Sequence, residues 1–421
     1  MKIKKKIYHT VDIKKVDINK LKEFTAGKRI VFSVDAAKRN FFGAFQNTDK
    51  ETILNIKWQS PGEVGLLLTL LKKLEASQLE MAMEPTSTYG DALREQAEQE
   101  GVDVYLVSAK KCHDAREVFD GVPSSHDAKS AAIIGRLHLD GISKPWPKKS
   151  EEQRKLASEM IIAKIMRKQL DDNVNRLEAQ LARYWPELPE ILSLDSAALL
   201  GLLETYGGPK KVIENKEAAY ETIKIKGRSL TLSKLERVIC SADDTIGVAM
   251  IEAEEEAIKK LAIEIDRNRV GLRKSQKEIK KIMNKNKTRT DEMSKVIGQV
   301  TTAVLWVALG DPLSYDSAGG YIKAAGLNLK ERSSGEYNGC LKITKRGSGE
   351  VRQYIYLAVL RLIQSDGLIK KWYSKKVARD GGKKMKAIVA LMRKLMRGLW
   401  KASCDGVPFN SQLLFDGTRL S

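Results

Sequence analysis

Acidic side chains follow two apolar segments in the first third of the chain, at the points where predicted strands end. Asp35 follows the apolar run 30–34, and Glu84 follows the run 79–83. Asp127 stands near the start of a predicted helix. Carboxylates gathered at one edge of a sheet can hold two divalent cations, which stabilise the attacking and leaving oxygens of a phosphodiester. The three acids therefore predict a Mg²⁺ (or Mn²⁺) site, although a single acid at a strand end is usually a solvated turn residue.

A second candidate for chemistry lies in the last quarter of the chain. Ser333 and Ser334 precede Gly335 in a polar segment. Four cationic side chains follow them, namely Lys342, Lys345, Arg346 and Arg352. A serine hydroxyl becomes an effective nucleophile when converging cations stabilise the charge that develops on an attacked phosphate. The simpler interpretation is a basic loop that contacts backbone phosphates, and the residues alone favour that interpretation.

The elements that would position the acids alternate between strand and helix patterns. Strands are predicted over Ile30–Asp35, Phe41–Phe45, Ile53–Ile56, Leu79–Glu84 and Val102–Val107. Three adjacent strands followed by strand and helix alternation indicate a mixed sheet flanked by helices. A turn-rich stretch, Asp120–Ser125, leads into a helix predicted from about His126 to Leu139. Two prolines within Ser143–Ser150 indicate a domain boundary.

The middle of the chain is predicted to be helical and contains a seven-residue apolar repeat. Residues 151–184 form a charged helical pattern, whereas 187–249 carry little readable pattern. The repeat comprises Ile251, Ile258, Ile265, Leu272 and Ile279, with Leu261 and Ile282 at the companion position. This spacing is typical of a coiled-coil seam, which Asn268 and Ser275 interrupt. A coiled coil between chains and a hairpin with the helix Glu151–Tyr184 of the same chain fit the pattern equally well.

The net charge of the chain indicates which class of partner it binds. The 421 residues include 74 Lys+Arg and 54 Asp+Glu, a formal net charge of +20, and a basic helix is predicted over Lys383–Lys401. Such an excess favours a polyanionic partner, because each neutralised phosphate releases counterions. No apolar run is long enough to span a bilayer, and the first residues lack the apolar core of a signal peptide. We therefore expect a cytoplasmic protein with no membrane partner.

The cysteines support a reducing compartment. They stand far apart and form no CxxC pair, at Cys112, Cys240, Cys340 and Cys404. With only four histidines in the chain, this distribution does not predict a zinc site.

The acids of the first domain lie in blocks that resemble a known family. The blocks are FSVDAAKRNFFGAF, AMEPTSTYGDALREQAEQEGVDVYLVSAKK and VPSSHDAKSAAIIGRLHLDG. They are similar to the DEDD transposases of the insertion-sequence one-ten family, whose relatives include the Piv-type DNA invertases. The resemblance implies a RuvC-like, and therefore RNase H-like, first domain. It also implies that Asp35, Glu84 and Asp127 are catalytic metal ligands, the first three of four acids.

The fourth acidic position of the family falls on Ser130. A serine is a poor ligand for a hard cation, so one acid is missing from the set. An alternative register places Asp127 at the fourth position and Ser124 at the third. We prefer the first register because Pro123 and Lys129 then match the proline and lysine of the family.

The serine segment resembles the C-terminal domain of the same family. The similar stretches are GLNLKERSSG, ITKRGSGEVRQYIYLA and, further on, KKMKAIVALMRKLMRGLWKASCDGVPFN. Ser334 falls on the nucleophilic serine of the family, while Lys345, Gly347 and Arg352 fall on its Lys-x-Gly and Arg landmarks. Lys342, Lys345, Arg346 and Arg352 are thus expected to bind nucleic acid.

The resemblance implies a transposase or site-specific recombinase that cleaves and rejoins donor and target DNA through a covalent phosphoserine. Its site would combine the acids of one subunit with the serine of another, which requires a dimer or tetramer. Many members also bind a noncoding bridge RNA. Two other functions stay open: a RuvC-like, structure-specific DNA nuclease, which needs no Ser334, and a non-catalytic nucleic-acid-binding descendant, which would account for Ser130.

The expected fold class is α/β plus α. We predict a basic N-terminal extension over 1–28 and a RuvC-like acidic domain over 29–145. A helical, coiled-coil-like region is expected over 146–290. A mainly helical transposase domain with the nucleophilic serine is expected over 291–421.

Overall fold

A computed structural model describes residues 9–85, 88–122, 126–227, 230–285, 290–331, 333–334, 337–339 and 341–415. The chain divides into two compact units, Met1–Lys148 and Lys149–Ser421. This partition differs from the four expected segments at the N-terminus, since residues 11–25 form elements of the first unit. Ile13 and Leu21 are buried in its core, so this part of the chain packs against the sheet.

A mixed sheet forms the centre of the first unit, as the alternating strand patterns predicted. Its seven strands within the described residues are β1 (Val11–Asp12), β2 (Arg29–Ala36), β3 (Asn40–Gln46), β4 (Thr52–Gln59), β5 (Gln78–Met83), β6 (Asp103–Leu106) and β7 (Lys144–Pro145). They lie in the order β1-β4-β3-β2-β5-β6-β7. Strands β2, β3 and β4 form an antiparallel meander, and β5 and β6 extend it in parallel from β2.

Helices cover both faces of this sheet. They are α1 (Ile18–Thr25), α2 (Val64–Lys72), α3 (Asp91–Gln99), α4 (Ala109–Asp120) and α5 (Asp127–Leu139). Because side chains alternate along a strand, Ile30 and Phe32 face one hydrophobic cluster while Val31 faces another. The first cluster receives α1, α2 and α3, and the second receives α4 and α5.

Helix α5 lies unusually close to the sheet because Gly135 has no side chain. A Cβ at that position would lie 1.8 Å from Gln46 Oε1 and 2.8 Å from Ser33 Oγ. The buried Gln46 also donates from Nε2 to the Ala132 carbonyl oxygen at 3.1 Å. This contact fixes the height of the helix above β2 and β3.

A buried polar cluster anchors the other end of α5. His138 Nε2 lies 3.1 Å from Glu80 Oε2, and His138 Nδ1 lies 2.7 Å from Ser143 Oγ. Arg29 donates to the same Glu80 oxygen from Nε at 3.0 Å and from Nη2 at 2.8 Å. Since the Glu80 carboxylate is buried, these partners compensate for its lost hydration.

The second unit is mainly helical. Its helices are α6 (Glu151–Tyr184), α7 (Leu188–Ile191), α8 (Ala197–Tyr206), α9 (Pro209–Glu214), α10 (Lys216–Lys226), α11 (Leu232–Asp243), α12 (Glu252–Lys285), α13 (Asp291–Ile297), α14 (Gln299–Leu309), α15 (Ala318–Ala324), α16 (Gly349–Ser365), α17 (Gly367–Arg379), α18 (Lys384–Asp405) and α19 (Ser411–Phe415). Its strands pair in two short hairpins, β8 (Leu329–Lys330) with β11 (Lys342–Ile343), and β9 (Ser333–Ser334) with β10 (Tyr337–Asn338). No helix in the described part of the chain is both long enough and apolar enough to cross a bilayer.

The seven-residue repeat on α12 faces α6 of the same chain. The repeat therefore forms the intramolecular hairpin, the second of the two arrangements that fitted the pattern. Ile258, Ile265 and Leu272 are buried in one cluster with Leu170 and Leu177 of α6. The polar interruptions are accommodated in the same seam. Asn268 donates to the Glu264 carbonyl oxygen at 2.7 Å, and Ser275 donates to Glu159 Oε2 at 2.7 Å. Ile251, the first member of the repeat, precedes the helix and is exposed.

A separate hydrophobic cluster organises the C-terminal part of this unit. Helix α18 contributes Leu391, Leu395 and Leu399, and α16 contributes Val351 and Ile355. The basic residues of α18 lie between these apolar positions. The helix predicted over Lys383–Lys401 therefore packs by one face and leaves its cationic side chains at the edges of that face.

Candidate active site

The first two predicted acids come together at one edge of the sheet. Val34 on β2 pairs with Met83 on the parallel strand β5. Asp35 is the next residue of β2 and Glu84 directly follows β5, so the two acids lie side by side at this edge of the sheet. Both are half-buried.

Helix α5 brings the third acid to the same edge. Asp127 is the first residue of α5, and its carboxylate is close enough to act on the charge of Asp35. One helical turn further on, Ser130 hydrogen-bonds to Asp35. The structure therefore brings together Asp35, Glu84 and Asp127, and it places Ser130 beside the first of them. Ser124, which the alternative register would use, lies outside the described residues.

Burial and neighbouring negative charge disfavour the ionisation of Asp35. Burial, reinforced by the negative charges of Glu84 and Asp127, raises the pKa of Asp35 from 3.8 to about 6. The nearby Arg116 and the hydrogen bond from Ser130 act in the opposite direction but do not cancel this effect. A cation bound beside Asp35 would offset both the burial of its negative charge and the repulsion from the other two acids.

Two neighbours of the acids were missed by the sequence analysis. Arg116 and Cys112 stand four residues apart on α4, so they share one face of that helix. The Cys112 thiol hydrogen-bonds to Glu84, and burial together with the Glu84 charge raises the pKa of the thiol to about 12. Cys112 is therefore a neutral donor that orients Glu84. The only available signal was the polar composition of a helix that precedes the third acid.

Lys129 holds the start of α5 in place. Its side chain is buried, and Nζ donates to Asp120 Oδ1 and to the Val122 carbonyl oxygen, both at 2.6 Å. Asp120 ends α4 and Lys129 lies in the first turn of α5. The ion pair thus joins the two helices that carry Arg116 and Asp127.

The donor set suits a hard divalent cation in its chemistry. Carboxylate and hydroxyl oxygens are the ligands that Mg²⁺ prefers, and the charge crowding at Asp35 would be relieved by an ion. Within the described residues, no group of three His, Cys, Asp or Glu side chains already stands close enough to hold a metal ion. The chemical types of these ligands suit Mg²⁺. The carboxylates would have to move closer together to bind it.

The predicted nucleophile lies in the second unit. Ser333 and Ser334 form β9, which pairs antiparallel with β10 through Ser334 and Tyr337. The side chains of these residues lie outside the described part of the structure. The backbone pairing places the serines in a tight hairpin between β8 and β11.

Arg352 organises the basic loop that follows the serines. Its Nη1 donates to the carbonyl oxygens of Ala325 and Gly347, each at 3.1 Å. A Cβ on Gly347 would lie 2.2 Å from the Ala324 carbonyl oxygen, so only glycine permits this close approach. Arg352 was predicted to bind nucleic acid, and the structure gives its Nη1 a positioning role in the protein itself.

The other predicted nucleic-acid-binding residues are exposed. Lys342 lies on β11, and Lys345 and Arg346 follow it in the loop. Among the described residues, no carboxylate pairs with any of the three. They are available to an external anion.

Comparisons with known proteins match both parts of this arrangement. A family model described as a transposase, of the DEDD type of IS110 elements, matches residues 32–186. A second model, described as the transposase IS116/IS110/IS902 family, matches residues 292–374. The first range contains the three acids and the second contains the serines and the basic loop.

The chain is also similar in sequence to a curated protein of an IS110 element. The chain is 22% identical over 244 residues to the insertion element IS110 uncharacterized 43.6 kDa protein of Streptomyces coelicolor. The alignment covers 57% of this chain and 60% of that relative. The two chains are thus similar over somewhat more than half of their lengths.

Proposed function

This chain belongs to the IS116/IS110/IS902 family of transposases, and we propose that it is a transposase that cleaves and rejoins DNA strands. One observation carries the proposal: Asp35, Glu84 and Asp127, far apart in sequence, interact at one edge of the sheet. A structural role does not require three acids side by side at one sheet edge, whereas a metal-assisted reaction on a phosphodiester does.

The topology of the first unit supports an RNase H-like, RuvC-like domain. The antiparallel meander β2–β3–β4 followed by parallel β5 and β6 is the mixed sheet expected of that fold. In this assignment Asp35 lies one residue before the end of β2, the first strand of the meander, and Glu84 directly follows the parallel strand β5. Such a fold would present both acids at one edge of the sheet, to which α5 would add Asp127, its first residue.

Asp35, Glu84 and Asp127 would hold the catalytic metal, Mg²⁺ or Mn²⁺. When bound, such an ion supplies positive charge to the oxygens of the attacked phosphate. The protein's own contribution is to orient these ligands. Cys112 donates to Glu84 and Ser130 donates to Asp35, while Lys129 fixes the helix that carries Asp127.

Ser334 is the proposed nucleophile. Its Oγ forms a bond to phosphorus while the bond from phosphorus to one deoxyribose oxygen breaks. The hydroxyl proton passes to a base and the departing oxygen takes up a proton, so that charge is conserved. A deoxyribose hydroxyl of the receiving strand then attacks the phosphoserine, which restores Ser334 and closes the new phosphodiester without an external energy source.

Donor and target DNA are the proposed substrates, and a noncoding bridge RNA is the proposed guide. The net charge of +20 and the exposed Lys342, Lys345 and Arg346 support a polyanionic partner. We further propose a dimer or tetramer in which the acids of one subunit act with Ser334 of another, acting in the cytoplasm on the nucleoid.

Strand transfer on DNA that carries the element ends tests this function. The assay compares the wild-type protein with Glu84→Gln, which keeps the shape of the side chain and removes its charge. Glu95→Gln, an exposed acid of α3, is the matched control. We expect Mg²⁺-dependent strand transfer that Glu84→Gln lowers by at least about 100-fold and that Glu95→Gln leaves intact.

Two results would contradict the proposal. Cleavage to free ends without rejoining, unaffected by Ser334→Ala, would indicate a hydrolytic nuclease. Binding of element DNA without any cleavage in Mg²⁺ or Mn²⁺ would indicate a non-catalytic descendant that has lost the fourth acid at Ser130.

A further inference from the structure

We propose that the groove between the β8–β11 hairpin and helix α18 binds an unpaired nucleotide of DNA or RNA, beside the phosphodiester presented to the serine hairpin. The position beside that phosphodiester rests on the proposed function, since β9, which carries the serines, begins three residues after β8 ends. Leu329, Ile343, Tyr356 and Val389 are among the residues that line the groove, which has a volume of about 1110 Å³.

The floor of this groove is apolar and open to solvent. Leu341 is 54% exposed and Met385 is 58% exposed, and both line the groove with Ile343 and Val389. Apolar side chains left in contact with water at a concave surface mark a binding site more often than a structural one. The volume exceeds the range of about 300–1,000 Å³ usual for small ligands, so a nucleotide has room there.

The rim of the groove is cationic. Among the described residues, every charged side chain that lines the groove is basic. These side chains are Lys330, Lys342, Lys345, Arg352, Lys376, Lys386 and Arg393. Asp380 neutralises two of them, with its carboxylate 2.5 Å from Lys376 Nζ and 3.6 Å from Lys386 Nζ. The remaining charge is left for a ligand.

Arg393 shows this unsatisfied charge most clearly. Within the described part of the chain, its Nε is buried without a hydrogen-bond partner. Burial and the neighbouring Arg397 lower the pKa of its guanidinium. An anionic group in the groove would offset both the burial and the repulsion.

The combination of an apolar floor and a cationic rim favours an unpaired nucleotide over a duplex. A duplex presents phosphates to the rim, but its bases are stacked and paired, so Leu341 and Met385 would stay in water. An unpaired nucleotide presents a flat apolar base to the floor and a phosphate to the rim. The half-buried Tyr356 adds an aromatic ring against which a base can pack.

Fluorescence titration of the full-length protein tests the inference. The probes are a single-stranded DNA that contains 2-aminopurine, the RNA of the same sequence, and a duplex of equal length. The groove variant is Leu341→Gln with Met385→Gln, which removes apolar surface without adding charge. The control is Ile246→Gln, because Ile246 is 87% exposed and lies outside the groove.

We expect the groove variant to weaken single-strand binding about tenfold and duplex binding less than about twofold, while the control changes neither. At a protein concentration that half-saturates the wild type, quenching of 2-aminopurine should be largely lost in the groove variant. A loss of affinity in the groove variant for the DNA probe, the RNA probe or both supports the inference, and the affected probe identifies the source of the nucleotide.

Equal losses for single strand and duplex, or no loss, would overturn the inference. So would displacement of the probe by polyglutamate at lower concentration than by oligonucleotide, which would indicate an acidic protein segment. Strand transfer is measured in parallel. If the wild-type protein transfers strands but the groove variant binds single strands as tightly as wild type does, only this inference fails. If the groove variant loses single-strand affinity but the wild-type protein transfers no strands, only the proposed function fails.

Discussion

Asp35 illustrates which features of the site the sequence made predictable. The position of an acid directly after a strand follows from the local alternation of apolar residues, so Asp35 and Glu84 were assigned correctly to one sheet edge. The roles of Arg116 and Cys112 depend on how α4 packs beside that edge. No local pattern encodes that packing, and neither residue could be found from the sequence.

The raised pKa of Asp35 predicts a specific pH dependence of stability. The folded protein holds the Asp35 proton more tightly than the unfolded chain, whose pKa stays near 3.8. The resulting stabilisation is complete below about pH 4 and is lost as the pH rises through about 6. Asn at this position cannot ionise, so Asp35→Asn should gain stability relative to wild type between pH 5 and 8. We expect a gain on the order of 1–2 kcal/mol after solvent screening.

Urea unfolding in EDTA at several pH values measures this gain. Asp49→Asn, at an exposed turn between β3 and β4, is the control and should run parallel to wild type. Parallel curves for Asp35→Asn and the wild type would show that neither burial nor the neighbouring acids raise the pKa of Asp35.

Ser130 allows the missing fourth acid to be restored. Ser130→Asp adds a negative oxygen ligand next to Asp35, so we expect lower stability without metal and Mg²⁺ affinity about tenfold tighter. Ser130→Asn, which is similar in size but neutral, should not tighten Mg²⁺ binding. Calorimetric titration with Mg²⁺ measures both. An unchanged Mg²⁺ affinity combined with lower stability would favour the register in which Ser124 occupies an acidic position.

At the level of elements, the spacing of apolar residues predicted strands reliably. It did not predict which elements pack against one another. The five predicted strands of the first unit appear with ends shifted by a few residues, because alternation at period two needs only local sequence. The helices α7 to α11 within 187–249 were not readable. Much of α8 is buried all round, so it lacks the polar face that reveals a helix in sequence. The partner of the α12 repeat was equally undetermined, because one apolar seam fits another chain or another helix.

The pairing of α12 with α6 predicts how mutations in the repeat behave. Ile265 is fully buried in the seam, whereas Ile263 on the same helix is 44% exposed. Ile265→Ala should lower the free energy of unfolding by about 2–5 kcal/mol, and Ile263→Ala should lower it far less. Chemical unfolding at two protein concentrations provides the measurement. A midpoint that shifts with concentration only for Ile265→Ala would instead place that residue in a seam between chains.

At the scale of the whole molecule, the excess of basic residues favours a polyanionic partner. The net charge of +20, together with the exposed Lys342 and Lys345, which pair with no carboxylate among the described residues, predicts binding dominated by phosphate contacts. If six to ten phosphates are neutralised, affinity should fall by roughly 10³–10⁵ between about 50 and 200 mM salt. Filter binding over that range measures the slope. A flat profile would remove nucleic acid as the main partner.

The identity of the nucleophile tests the account most directly. Ser333 and Ser334 are adjacent hydroxyls on one short strand, so binding measurements cannot distinguish them, whereas a covalent bond can. The measurement traps the reaction on a DNA suicide substrate, digests the adduct and locates the phosphodiester by mass spectrometry. We predict an adduct on Ser334 that is lost in Ser334→Ala and kept in Ser333→Ala. Mg²⁺-dependent cleavage that persists in Ser334→Ala without any adduct would contradict the account.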